Sequence, residues 1–115
     1  MKRSLYFACA STLLCASLSF GAAGQAAATS KAGDAAKGKE VFEQCSVCHN
    51  ADSTDKKIGP GLKGLYKQEK LVNGKKVTDA NVMDFINNGG NGMPAYADML
   101  SADDKANVIA YLKTL

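Results

Sequence analysis

Three residues in the 115-residue chain stand out for the chemistry they can do together. In "CSVCHN", residues 45 to 50, Cys45 and Cys48 lie three apart and His49, the chain's only histidine, follows at once. A structural zinc ion wants four ligands, and the adjacent Cys48 and His49 are hard to aim at one small ion. A thioredoxin-like dithiol belongs beside a βαβ unit, for which the sequence shows no pattern, and a plain structural disulfide is the other alternative for the two cysteines. The remaining chemistry is covalent haem attachment, of which Cys-x-x-Cys-His is the signature. On one helical turn both sulfurs share a face and can meet the two vinyl groups on one edge of a porphyrin, with His49 in reach of the iron.

How many cysteines compete for these roles depends on where the working chain begins. Lys2 and Arg3 precede an uncharged apolar run from Leu5 to Phe20, the pattern of a secretory signal peptide. Sixteen residues interrupted by Ser11, Thr12, Ser17 and Ser19 fall short of the roughly 20 apolar residues of a spanning helix. Ala26 and Ala28 form an Ala-x-Ala site, so residues 1–28 are expected to be removed and residues 29–115 to form one small domain. Cys9 and Cys15 then leave with the leader, and twelve basic residues face eleven acidic ones. A net charge of +1 is too small to hold nucleic acid. So short a domain buries limited core and is commonly completed by a disulfide, a metal or another bound group.

Short helices must position the cluster. Asp34 can cap a helix expected over residues 35 to 47, and a second is expected at 62 to 69. Asn73-Gly74 predicts a tight turn between two short extended pieces. Thr78 and Gly89 bracket a third helix over 79 to 88, and Ser101-x-x-Asp104 opens a fourth with a capping-box pattern. Residues 50 to 61 and 89 to 100 read as long irregular loops, which are unusual in a compact domain unless they do something.

On these residues the chain resembles the class I c-type cytochromes of bacteria from about Asp34 to Leu115. Cys45-Ser46-Val47-Cys48-His49 corresponds to the family's haem-binding motif. Ile58-Gly59-Pro60-Gly61-Leu62 looks like its Gly-Pro loop, and Asn91-Gly92-Met93-Pro94-Ala95-Tyr96 is similar to its methionine loop. Gly38 and Phe42 with Tyr111 match its crossed terminal helices. The resemblance implies an all-α fold of about four helices, with long loops wrapped around one covalently attached haem c. It implies thioethers at Cys45 and Cys48, a hydrogen bond from His49 to the Pro60 carbonyl, and His49 and Met93 as the two iron ligands.

Independent physical reasons accompany these assignments. Gly38 mid-helix costs roughly 1 kcal/mol relative to alanine, which calls for the close approach of another helix. A ligand histidine usually donates its second ring proton to a carbonyl or carboxylate, and Pro60 supplies one with little freedom. Of the competing methionines, Met83 falls in a helical core pattern with Val82, Phe85 and Ile86, and Met99 is expected to pack beside Leu100. Met93 stands in a loop without such a role.

With both axial positions filled, the expected function is one-electron shuttling between periplasmic or membrane redox partner proteins. The protein is then a periplasmic monomer, not an enzyme and not stably inserted in a membrane. The alternatives are a haem peroxidase in which Met93 leaves the iron, and a fixed cytochrome subunit of a larger dehydrogenase or oxidase. Charge is uneven: residues 56 to 77 sum to +6, residues 29 to 55 to −2 and residues 78 to 115 to −3. If residues 62 to 69 are helical, Lys63, Lys67 and Lys70 share a face that could steer an acidic partner.

Overall fold

A computed structural model describes residues 31–115; the expected leader, residues 1–28, lies outside them. The described chain contains three α-helices, α1 (Ala35–Phe42), α2 (Asp79–Asn88) and α3 (Ala102–Leu112), and a 3₁₀ turn at Leu65–Lys67. Among the described residues the only extended pairings are two isolated bridges, and no helix is long and apolar enough to cross a membrane. The fold is all-α, with long loops between the helices.

Local chemistry sets most boundaries. Asp34 Oδ1 accepts from the backbone of Ala36 and Lys37 at 2.8 and 3.3 Å, which starts α1. Thr78 Oγ1 caps α2 through Asn81 N–H at 3.1 Å, and Gly89, at φ +66°, stops it. Ser101 and Asp104 form a reciprocal capping box on α3, satisfying two amides that a helix start leaves without partners.

Two helices are shorter than expected. The first ends at Phe42 instead of residue 47, because Glu43 N–H and Cys45 N–H reach back only three residues, to Glu40 and Phe42. That tightening frees residues 45 to 49 to form a turn of their own. The helix expected at 62 to 69 shrinks to Leu65–Lys67, since Gly64 enters it left-handed at φ +70° and Gln68 leaves it extended. Lys63, Lys67 and Lys70 therefore do not share a helical face. The turn at Asn73-Gly74 forms as expected, with Leu71 N–H bonded to Lys75 O at 2.8 Å and Val77 N–H to Glu69 O at 3.1 Å.

The core is Phe42, Leu65, Val82, Ile86, Leu100, Val108, Ile109 and Leu112. It lies under the crossing of α1 and α3, where Gly38 meets α3 so closely that an added Cβ would strike the Asn107 carbonyl and come within 2.8 Å of Tyr111 Cβ. One turn on, the Phe42 and Tyr111 rings pack with centroids 5.3 Å apart and planes tilted by 57°. Two further contacts of this crossing left no trace in the sequence pattern. Gly33 presses on the Ala106 carbonyl, and Asn107 Oδ1 accepts from Asp34 N–H at 2.8 Å. The far end of α3 is pinned to α2 by Lys113 Nζ on Asp79 at 2.5 Å. Beside that pair, burial first and the Asp79 carboxylate second push the Tyr66 phenol well above its usual pKa.

Candidate functional site

The core side chains also line a cleft. Phe42, Leu65, Val82, Ile86, Leu100, Val108 and Leu112 form its apolar wall, and Cys45, Cys48, His49, Pro60 and Met93 all border it. The two long loops thus do what their length suggested: each supplies one part of the border.

Cys45 to His49 form a single turn, in which the Cys45 carbonyl accepts from Cys48 N–H at 3.0 Å and His49 N–H at 2.9 Å. Both thiols are free, and burial first, then the neighbouring Cys48, raises the Cys45 pKa. The loop from residue 50 to 61 is stitched onto this turn. Gly59 N–H donates to the Cys48 carbonyl and Leu62 N–H to the Asn50 carbonyl, each at 2.7 Å, and Lys57 Nζ donates to the Ser46 carbonyl at 2.8 Å. The stitching brings the Pro60 carbonyl 2.8 Å from His49 Nδ1. A ring nitrogen facing a carbonyl must carry the proton, so Nε2 keeps its lone pair free for a metal. Gly59 backs the imidazole, and a Cβ there would run into the ring, coming 2.8 Å from Nδ1. Only glycine lets the loop support the histidine from behind.

The second loop presents Met93 from a two-residue turn. Gly90 and Met93 exchange both backbone hydrogen bonds at 3.0 Å, with Asn91 at φ +52° and Gly92 at φ +89°, the positive pair of a type I′ turn. The Asn-Gly dipeptide was the available signal for this turn, as it was at residues 73 and 74. Behind it, Gly89 lies so close to the Met93–Pro94 backbone that an added Cβ would come 2.8 Å from Pro94 C.

Met83 is half-buried against the core and does not border the cleft. Met99 departs from expectation: it is 65% exposed, whereas Leu100 beside it is buried. Both amides bond to the Tyr96 carbonyl at 3.2 Å, and the tight turn sends the successive side chains apart. Tyr96 borders the cleft, its pKa raised by burial first and then by Cys45 and Cys48. Among the described residues no three His, Cys, Asp or Glu side chains gather as a metal-binding cluster.

An apolar cleft bordered by two thiols, an imidazole with one nitrogen free and a thioether, in an all-α frame, defines a c-type cytochrome. Residues 33–112 match the family described as cytochrome c oxidase, cbb3-type, subunit III. The chain is 37% identical over 82 residues to cytochrome c6 of Rippkaea orientalis, covering 70% of each chain. It is 29% identical over 93 residues to cytochrome c2 iso-1 of Magnetospirillum molischianum, covering 65% of this chain and 93% of that one. The solved structure of cytochrome c6 from the diatom Phaeodactylum tricornutum shares its fold with a TM-score of 0.58 at 28% identity, over 71% of this chain and 93% of that chain. The chain belongs to the class I c-type cytochromes; it is an electron-transfer protein with one covalently bound haem c.

Proposed function

We propose that Cys45 and Cys48 hold the haem by thioethers, that His49 and Met93 are its axial ligands, and that the protein is a one-electron shuttle of the periplasm. Bound haem supplies reversible exchange of one electron at iron. The observation that carries the reading is the 2.8 Å contact of His49 Nδ1 with the Pro60 carbonyl. It aims a basic Nε2 from the turn that carries both thiols, in a cleft bordered by Met93 but by neither Met83 nor Met99.

Each residue then has a physical task. Pro60 fixes the tautomer and orientation of His49. Met93 offers a soft, neutral thioether that favours the ferrous state, and the apolar wall disfavours the additional charge of the ferric state; both raise the reduction potential. With His49 and Met93 as its two protein ligands, the iron would keep no place for a substrate. The chain's single histidine is His49 and its one arginine is Arg3, so no second imidazole or nearby guanidinium exists to assist peroxide cleavage. This supports a carrier over an enzyme. Removal of residues 1–28 by the export machinery would deliver the carrier, a monomer, to redox partner proteins of the periplasm or membrane surface. A second reading, a fixed subunit of a larger oxidase, is favoured by the description of the matching family, and co-purification with a large membrane complex would select it.

The test is the mass and colour of the exported protein. Its N-terminus should be Thr29, its mass should exceed that of residues 29–115 by one haem, and its pigment should resist acid-acetone. Replacing both Cys45 and Cys48 by alanine should release the pigment. Full extraction of pigment from the unaltered protein overturns the thioether assignment.

A further inference from the structure

The loop that presents Met93 is fastened at its far end by contacts that the turn at residues 91 and 92 does not explain. A helix leaves its last carbonyls without partners, and two of those of α2 are taken by this loop. Ile86 O accepts from Tyr96 N–H at 2.9 Å and Asn87 O from Ala97 N–H at 3.3 Å. The second bond is longer than the usual N–H···O range. Ala97 is held more firmly by α3, where the half-buried Lys105 donates from Nζ to the Ala97 carbonyl at 2.7 Å.

Lys105 gains little from its own helix. It follows Asp103 and Asp104 near the start of α3, where the helix dipole opposes a cation, and among the described residues it forms no ion pair. It reaches instead eight residues back along the chain, to the loop bonded onto the C-terminal end of α2, the end at which a helix dipole favours a cation. The last turn of α2 contains no basic residue, and the side-chain oxygen of Asn87 is buried without a hydrogen-bond partner. Acceptors therefore outnumber donors at this end of α2, and Lys105 supplies positive charge from the neighbouring helix. Lys113 makes the contrast. It also joins α3 to α2, but through Asp79 in the first turn of α2, with no part of the Met93 loop involved.

We propose that Lys105 is a positioning residue for the distal ligand: by holding Ala97 against the end of α2 it keeps the loop closed behind Met93 and the thioether in place. The inference rests on the assignment of Met93 as an iron ligand. Met93 can leave the iron only if its loop moves, and the limb that follows it is pinned at Tyr96 and Ala97. Without Lys105 that limb keeps one good bond, Tyr96 N–H to Ile86 O, and one long bond, Ala97 N–H to Asn87 O, so the loop opens more readily.

The experiment titrates the haem-loaded ferric protein with imidazole, which must displace Met93 to bind. Lys105→Ala keeps a good helix former and removes the donor, so it should bind imidazole about tenfold more tightly than the parent, the low end of what a hydrogen bond from a charged group contributes. Lys105→Arg, which keeps both charge and reach, should bind it as the parent does. Lys113→Ala, which breaks the other link between α3 and α2, should lower Tm and leave imidazole binding unchanged. Equal gains in Lys105→Ala and Lys113→Ala would reduce the effect to general loosening and overturn the proposal. So would unchanged binding in Lys105→Ala, or a gain in Lys105→Arg as large as that in Lys105→Ala. If Lys105→Ala yields too little haem-loaded protein, Lys105→Gln, too short to reach the same carbonyl, takes its place with the same expectations. Met93→Ala separates the anchor from the assignment beneath it: if that variant binds imidazole no more tightly than the parent, Met93 is not the ligand, and the positioning role of Lys105 falls with it.

Discussion

The α1–α3 crossing and the loops around the cleft are built by opposite means. At the crossing, backbone meets backbone: Gly38 lies on Asn107, Gly33 on Ala106, and the Phe42 and Tyr111 rings close the gap. Of these residues only Phe42 also borders the cleft. Around the cleft, glycines at 59 and 89 also permit close approach, but what they bring close is His49 in one case and the backbone of Met93 in the other. Tight packing serves stability in the first region and orientation of donor atoms in the second. Substitutions that are chemically alike should therefore report on different properties in the two regions.

The largest effect on stability should come from Gly38→Ala. Its new Cβ meets backbone on α3, which has no rotamer through which to escape, so the helices must separate. Overpacking of this kind costs about 1–3 kcal/mol, a sizeable part of the roughly 5–15 kcal/mol that holds a domain together. For a domain of this size, that corresponds to a fall in Tm of about 5–20 °C, measured on the haem-loaded protein. A fall of under about 5 °C would mean that the crossing is loose, and the contrast between the regions would lose its first half.

Met93→Ala should do the reverse, changing the redox centre more than the frame. The midpoint potential should fall by an appreciable part of the roughly 0.8 V over which axial ligands tune haem, and the ferric protein should bind added imidazole. Met83→Leu and Met99→Leu should leave the potential and ferric spectrum unchanged, the first within about 1.5 kcal/mol of parental stability as a volume-conserving swap. If one of those two alters the spectrum while Met93→Ala does not, the ligand assignment is wrong.

The same division explains which features were legible in the sequence. Caps depend on residues three or four apart, so Thr78, Gly89 and Ser101 marked α2 and the start of α3 where the structure has them. The thiols, His49, Pro60 and Met93 were visible because each carries distinctive chemistry, and the structure brings them to one cleft. What escaped was conformation decided at a distance or by one backbone angle. Gly64 at φ +70° cut a helix whose side-chain pattern looked continuous. The end of α1 was set by a switch to shorter hydrogen bonds that no side chain announced. Asn107 and Gly33 act only across the α1–α3 contact. Asn91-Gly92 was a local signal, hidden by two glycines before it that suggested irregularity.

The smallest effects should come from the two glycines that stand in open space. Gly74, at φ +80°, and Gly92, at φ +89°, have nothing within 4 Å of an added Cβ, so Gly→Ala at either should cost only the strain of a left-handed backbone, about 1–2 kcal/mol. Their stabilities should fall together, by less than that of Gly38→Ala. Their potentials should not. Gly92 is the residue before Met93 in a turn closed by the Gly90–Met93 pair, so relief of the strain there rotates the peptide that carries the thioether, and the midpoint potential should drop measurably. Gly74 lies outside the turn that carries Met93, its amide being committed to the Leu71 carbonyl within its own hairpin, so the potential of Gly74→Ala should match the parent's. Equal potentials in the two variants would mean that the turn does not govern how Met93 is held, and the thioether would then be positioned by Gly89 and Pro94 instead.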